Sequence, residues 1–443
     1  MASQTYIFKG LLRSALCVKN KVPKALFHCK ISCLKSQRTE SVQDAISILG
    51  KSFSGDQLTN VTPAILAKLG RDLHNTGGHP LHFIFKRIES FFHRSYVKRG
   101  NPVFSVYSRL SPVVTHEQNF DSLLVPQDHV SRSPSDTYYI NSTHMLRAHT
   151  SAHQRDLIRS GLDAFLVVGD VYRRDTINAT HYPVFHQMEG VRLFSDFQLF
   201  SEVSDPSGCS LFERGKRDNT KQENHSLETS KLLEHDLKSC LENLMIAIFG
   251  KDLEMRWVDA YFPFTHPSWE LEIFHQGDWV EMLGCGVMEQ KLVDSAGASS
   301  KAGWAFGLGL ERLAMKLFSI PDIRLFWSTD SGFLHQFRDK HFEDQVTYKA
   351  VSKYPQCTND ISFWIPEGFT PNDFYDLVRS VSGDLVEQVD LIDEFKHPKT
   401  GRVSHCYRIV YRHMEKTLTQ AEVNSVHKDI ENLASKQLSV EIR

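Results

Sequence analysis

The run Val168-Gly-Asp-Val-Tyr-Arg-Arg-Asp175 sets two guanidinium groups at the end of an apolar stretch, Phe165-Leu-Val-Val168, which reads as a buried strand. Far downstream, Phe306-Gly-Leu-Gly-Leu-Glu-Arg-Leu313 brings a further arginine behind two glycines, which let a ligand approach the backbone closely. A guanidinium donates two parallel hydrogen bonds from a rigid plane and keeps its proton. It therefore suits a site where phosphate or carboxylate oxygens gain negative charge in a transition state. Arg173 is the first candidate for that task, and Arg174 then points to the opposite face of the strand. Between the arginines lies His181-Tyr-Pro-Val-Phe-His-Gln-Met-Glu189, where Gln187 and Glu189 alternate onto one strand face. Taken alone, Arg-Arg-Asp reads as a salt-bridged surface pair and Gly-Leu-Gly-Leu as a tight strand-to-helix packing site. Their company changes the reading.

Together these segments resemble motifs 2 and 3 of class II aminoacyl-tRNA synthetases, and the spacing of His181, Phe185, His186, Gln187 and Glu189 is similar to that in phenylalanyl-tRNA synthetases. The resemblance implies a ligase that forms phenylalanyl-adenylate from phenylalanine and ATP with Mg²⁺, then passes the acyl group to tRNA(Phe). It assigns ATP to Arg173, His181, Phe185, Glu281 and Arg312, with Phe185 and Arg312 covering the two faces of adenine. Stacking of that kind is worth about 1–3 kcal/mol per base. Glu281 is the candidate Mg²⁺ carboxylate, with a cross-strand salt bridge as the rival reading. Phenylalanine is assigned to His149, Ser151, Ala152, His153, Gln154, Gln187 and Glu189 at its polar end, and to Phe262, Phe264, Ala305 and Phe306 around its ring. On residues alone, His149 and His153 are four apart and could pair on a metal, but the glutamate of His-Glu-x-x-His and a third ligand are missing. Phe262 and Phe264 alone read as core residues, on the same side of an extended segment around Pro263. A dry ring pocket with no partner for a hydroxyl would reject tyrosine by only about a hundredfold. The family's His-Pro-Ala-Arg reads His129-Val-Ser-Arg132 here, which bears on loop conformation.

These groups need a scaffold. The 443 residues, 41% of them hydrophobic, allow two or three cored domains, and no run approaches the roughly 18 apolar residues of a membrane span. The fold class expected is α+β: a class II synthetase antiparallel sheet flanked by helices, followed by a ferredoxin-like βαββαβ unit. Residues 1–38 carry eight basic and no acidic side chains among serines and scattered apolar residues, as an organellar transit peptide does, taken as mitochondrial with a plastid one as the alternative and a basic RNA-binding tail as the competing reading. Without them Lys plus Arg falls from 51 to 43 against 53 acidic residues, a balance of about −10, so RNA must be met by local patches. Eight scattered cysteines with no Cys-x-x-Cys pair argue for reduced thiols, and Cys285 reads as a small buried strand residue.

The catalytic domain is expected over 39–327. Within it, 204–226, rich in Ser, Asn, Lys, Glu and Gly, reads as a mobile surface insertion. A polar connector is expected over 328–351. The βαββαβ pattern fills 352–443 and resembles the anticodon-binding domain of the family, with Lys396, Lys399, Arg402, Arg408 and Arg412 as candidate tRNA contacts and a lysine-guarded strand edge as the other reading. Both modules on one chain resemble the organellar single-chain form, which implies a monomer in the mitochondrial matrix. Because the anticodon lies far from the acceptor end, the carboxyl-terminal module is expected to move as a body through 328–351 when tRNA binds. Two other classes remain open: an adenylate-forming paralogue with another acceptor, and a catalytically dead scaffold that still binds tRNA.

Overall fold

The computed structural model describes residues 45–201, 203–328, 331–350, 354–413 and 416–443, so the expected transit peptide lies outside the described residues. The larger module is built on a seven-stranded sheet. Its strands are β1 (Ser105–Tyr107), β2 (Ala164–Tyr172), β3 (Val184–Phe194), β4 (Met255–Phe262), β5 (Thr265–His275), β6 (Asp278–Met288) and β7 (Ala302–Gly309), in the order β4-β5-β6-β7-β3-β2-β1. Every neighbouring pair is antiparallel except β1 with β2. The apolar run ending in Val168 forms the centre of β2. Phe165 and Val167 pack into one hydrophobic cluster while Leu166 and Val168 pack into the other, as period-two alternation requires of a strand covered on both sides.

Helices cover this sheet. Helix α1 (Pro80–Ser95) starts at Pro80, where a missing N–H costs nothing, and His79 caps it by accepting from the Leu81 N–H at 3.2 Å. It buries Phe83, Ile84, Ile88 and Phe92, and the Phe92 ring stacks on Phe306 at 5.8 Å between centroids. That close packing explains Gly190, since a Cβ there would meet the Phe306 ring at 2.2 Å. Helix α2 (Leu227–Phe249) is capped by Ser226 and buries Leu233, Leu237, Leu241, Leu244 and Ile248 at the expected helical spacing. Helix α3 (Leu310–Phe318) begins directly where β7 ends.

Residues 328–351 are more than a polar connector. They contain helix α4 (Ser331–Arg338), whose Phe333 and Phe337 are buried in the main core. Two rings among polar neighbours are a weak signal in composition but sufficient to dock one turn after the next.

The carboxyl-terminal module contains β8 (Cys357–Trp364), α5 (Pro371–Ser382), β9 (Val386–Lys396), β10 (Val403–Tyr411), α6 (Gln420–Gln437) and β11 (Glu441–Ile442). The sheet order β9-β10-β8-β11 is the ferredoxin-like arrangement expected from the sequence. This module is docked on the larger one. Arg174 donates from Nε to Asp376 at 2.5 Å and from a terminal nitrogen to Asp373 at 2.8 Å, and the buried Tyr138 hydroxyl donates to Asp376 at 2.8 Å. Asp384 accepts from Tyr182 at 2.6 Å, the Val389 N–H donates to the Ile177 carbonyl at 3.1 Å, and Ile177 sits in the carboxyl-terminal core. The loop between β2 and β3 is thus held from both sides.

Candidate active site

A cleft of about 660 Å³ opens where β3, β6 and β7 meet the β4–β5 turn. Arg173, Gln187, Glu189, Glu281, Ala305 and Phe306 line it together with His149, Ser151, Gln154, Phe262 and Phe264. Residues far apart in sequence reach one place because β3 pairs with β2 and β7, which sets Glu189 opposite both Val167 and Gly307.

Glu189 is the most informative group. It is almost fully buried, and its carboxylate accepts from Gln154 Nε2 at 2.6 Å, from Thr150 Oγ1 at 3.4 Å, and from Ser151 Oγ. Burial pushes its pKa up to about 7 despite those three donors. A carboxylate held at that cost suits a cationic ligand, whose arrival would restore the charged form. Gln154 Oε1 is buried without a partner and is available as a further acceptor. His149 is pushed down to about 3, mainly by burial and next by Arg173, so it is neutral near pH 7 and adds no repulsion toward an ammonium.

Arg173 donates from Nε to the Ala148 carbonyl at 2.8 Å and lies over the Phe185 ring at 5.2 Å. Among the described residues no carboxylate forms an ion pair with it. Burial depresses its pKa and outweighs the pull of Asp175 and Glu281, which act on it from beyond ion-pair distance. Arg174 goes to the opposite side, as alternation requires, and is spent on the carboxyl-terminal module.

At the ring end, Phe262 closes β4 and pairs with Thr265, so Pro263 and Phe264 form a two-residue hairpin turn where the sequence suggests an extended segment. A proline fixes φ and cannot continue a ladder, which favours the turn. The two rings stack at 6.1 Å with 19° between planes. Gly284 makes room for Phe262, since a Cβ there would lie 2.7 Å from the ring. Ala305 is buried with its small side chain at the same cleft, beside Phe306.

Ala152 and His153 are placed differently from their neighbours. Ala152 is packed in the core, and His153 Nε2 meets Arg147 at 2.9 Å while Arg147 pairs with Asp170 at 2.8 Å. His149 instead has its ring 6.2 Å from Phe264, so the two histidines do not share a face. Among the described residues no group of three or more His, Cys, Asp and Glu is arranged to hold a metal.

Motif 3 is tied to motif 2 by a contact that the sequence does not announce. The buried Glu311 accepts from the His186 backbone N–H at 2.8 Å and from His186 Nδ1 at 2.7 Å, which fixes the first turn of α3 against β3. Arg312, the next residue, pairs with Glu281 at 3.2 Å and donates to its carbonyl at 2.8 Å, so the rival ion-pair reading of Glu281 is realised by a helix partner. Glu270 stands nearby, its carboxyl pushed up by burial and then by Glu281 and Glu272. Its signal was the Glu270-Leu-Glu272 alternation on the strand next to β6. His181 is exposed on the β2–β3 loop and bonded to Asn178 at 2.8 Å.

On the carboxyl-terminal sheet, Lys396 and Lys399 are exposed. Arg402 pairs with Glu441 at 2.5 Å, Arg408 with Asp360 at 2.8 Å, and Arg412 with Glu387 at 2.9 Å. Arg402 and Arg443 also lie over the Trp364 ring at 4.9 and 5.3 Å, and Phe395 stands 6.2 Å from that ring. No spacing rule singles out one tryptophan at a strand end, so the sequence alone does not mark these aromatics.

Residues 65–201 and 226–337 match the family profile described as tRNA synthetases class II core domain (F), and residues 352–443 match the ferredoxin-fold anticodon binding domain. The chain is 60% identical over 400 residues to "Phenylalanine--tRNA ligase, mitochondrial" of Mus musculus, covering 90% of this chain and 89% of that protein. It is 52% identical to "Probable phenylalanine--tRNA ligase, mitochondrial" of Drosophila melanogaster, covering 94% and 96%. A 30% identity links 68% of this chain to 82% of "Phenylalanine--tRNA ligase alpha subunit" of Photorhabdus laumondii.

Proposed function

We propose, from the premise that this chain belongs to the phenylalanine–tRNA ligase family of class II synthetases, that it activates phenylalanine with ATP and transfers it to tRNA(Phe), as a monomer in the mitochondrial matrix. One observation carries the reading of the site: a single cleft has a buried carboxylate with three hydrogen-bond donors at one end and two stacked phenylalanine rings at the other. That is the shape and polarity of an aromatic amino acid.

The ammonium of phenylalanine meets Glu189, and its ring meets Phe262 and Phe264. The substrate carboxylate then attacks the α-phosphorus of ATP, the bond to the β-phosphate oxygen breaks, and pyrophosphate leaves. Arg173 supplies fixed positive charge where the five-coordinate phosphorus gains negative charge; Phe185, over whose ring Arg173 lies, and Arg312, which is paired with Glu281, are the groups that would stack on adenine. In the second step the 2′-hydroxyl of the terminal ribose attacks the acyl carbon, AMP departs, and no side chain has to act as a strong base.

The carboxylates around Glu281 fit a divalent cation. Glu270 is raised by burial first and then by Glu281 and Glu272, a repulsion that the Arg312 cation paired with Glu281 offsets and that a divalent cation would relieve further; magnesium takes one or two carboxylates while keeping several waters. Glu281, with Glu270 beside it, would hold the ion, which supplies neutralisation of the ATP phosphates.

On the carboxyl-terminal sheet, Lys396, Lys399 and Arg402 beside Trp364 and Phe395 offer both phosphate contacts and a stacking surface for unpaired bases. The test is charging of unfractionated mitochondrial tRNA with radiolabelled phenylalanine, resolved by species. Acylation of one species is expected. Binding of tRNA with no acylation would leave the inert scaffold, and adenylate formation without acylation would leave the paralogue.

A further inference from the structure

Composition reads residues 204–226 as a mobile surface insertion, and the class II core profile leaves 202–225 unmatched. The structure instead carries part of this segment inward. Gln222 is 2% exposed, and its Nε2 donates to the carbonyls of His266 and Met288, both at 2.8 Å, while its Oε1 accepts from the Gln290 N–H at 2.8 Å. One side-chain amide therefore joins the start of β5 to the end of β6.

The location of this amide has a physical reason. The β5–β6 ladder is interrupted between Thr265 and Ser268, so the His266 carbonyl has no strand partner there and Gln222 supplies one. Further contacts hold the segment in place: the buried His225 meets Gln290 Oε1 at 2.9 Å, His266 Nε2 meets the Asp218 carbonyl at 2.6 Å, and Arg217 forks onto Glu289. The Glu289 N–H donates to the Phe264 carbonyl at 3.0 Å. The residues that Gln222 and Arg217 hold are thus the immediate neighbours of the turn bearing Phe264, on a hairpin whose β4 strand is the edge of the sheet.

We propose that residues 204–226 form a clamp which fixes the aromatic wall of the amino-acid pocket, with Gln222 as the positioning residue that makes the pocket selective for the substrate ring. The inference rests on the phenylalanine reading above. Without Gln222 the carbonyls of His266 and Met288 and the Gln290 N–H are left unpartnered in a buried place, and the turn relaxes to recover a partner. The rings then meet the substrate less tightly, while the nucleotide end, built from Arg173, Phe185 and Arg312, is untouched.

The experiment is steady-state ATP–pyrophosphate exchange on full-length wild type, Gln222→Leu and Arg217→Ala, with phenylalanine and tyrosine as substrates and circular dichroism as the folding control. Expected for Gln222→Leu is a rise of about tenfold in KM for phenylalanine, KM for ATP within about twofold, and a fall of about tenfold in the preference for phenylalanine over tyrosine. Arg217 is 39% exposed in its side chain, so Arg217→Ala should fold and shift the same quantities by about threefold. If Gln222→Leu does not fold, Arg217→Ala decides. Folded variants with unchanged KM and unchanged preference overturn the clamp, as does a fall in kcat alone. Absence of phenylalanine-dependent exchange in wild type overturns instead the functional reading on which the clamp rests.

Discussion

Arg173 and Arg174 are neighbours in sequence and opposite in circumstance. Arg173 stands in the cleft, held by one backbone carbonyl and an aromatic face, with no carboxylate pairing it among the described residues. Arg174 stands in the seam between the two modules, where it engages Asp373 and Asp376 and is 8% exposed. The contrast separates two uses of charge. In the proposed reading, a site for phosphoryl chemistry leaves its cation outside any ion pair so that the transition state supplies the missing anion. A seam between modules consumes its cation locally, and the energy goes into docking.

Breaking the first of these should have the largest effect. Arg173→Ala is expected to lower kcat for exchange by about 10²–10³, as removal of a preorganised donor does elsewhere, with the docking of the modules unchanged by small-angle scattering. Glu189 extends the comparison to an anion that waits for its partner. Its pKa of about 7 lies above the ordinary 4.5, so the empty site is protonated below pH 7 and charged above it. Phenylalanine binding should therefore weaken progressively as pH falls below about 7, by about tenfold per unit in KM for phenylalanine. Glu189→Gln should remove that dependence. For stability the sign is reversed. The folded state binds a proton that the unfolded state has lost between about pH 4.5 and 7, so stability of the empty protein should decline as pH rises through that window and recover on adding phenylalanine.

Breaking the second should act on shape more than on chemistry. Asp376→Ala leaves Arg174 and the Tyr138 hydroxyl without their shared partner and should cost about 3 kcal/mol of docking. Small-angle scattering should then report larger dimensions without tRNA, while the exchange rate stays within a few fold. The wild type should show the same change when tRNA binds, since the carboxyl-terminal module is expected to move. The smallest effect belongs to the exposed charges. Lys396→Gln with Lys399→Gln should weaken tRNA binding and lower its salt slope by about 0.7–0.9 for each phosphate no longer neutralised, whereas Arg408→Gln should do less because Asp360 already occupies it.

Most residues of the cleft follow from the resemblance of their motifs to the family, and periodicity adds the elements that carry them. Gln187 and Glu189 alternate on a strand, the glycines of motif 3 precede a helix, and the βαββαβ order of the carboxyl-terminal module is written in successive apolar runs. What stayed hidden were pairings between residues distant in sequence and polar in type. Gln222 lies in a stretch composed like solvent-exposed loop, and only the broken β5–β6 ladder reveals what its amide does. Glu311 reads as an ordinary first-turn helix acid until His186 is placed against it. Phe333 and Phe337 sit among polar neighbours that mask a docked helix. Ala152 and His153 belong to the amino-acid site expected from the sequence, but the 3₁₀ turn over Thr150–His153 packs Ala152 into the core and sets His153 against Arg147. Hydrophobic pattern is local, and partner choice is not.

The most direct measurement is phenylalanine-dependent ATP–pyrophosphate exchange on the purified chain. Exchange that requires phenylalanine, saturates, and collapses in Arg173→Ala is the result expected of a cleft whose unpaired cation awaits a phosphoryl transition state. No exchange with phenylalanine, or exchange that survives Arg173→Ala undiminished, would contradict it.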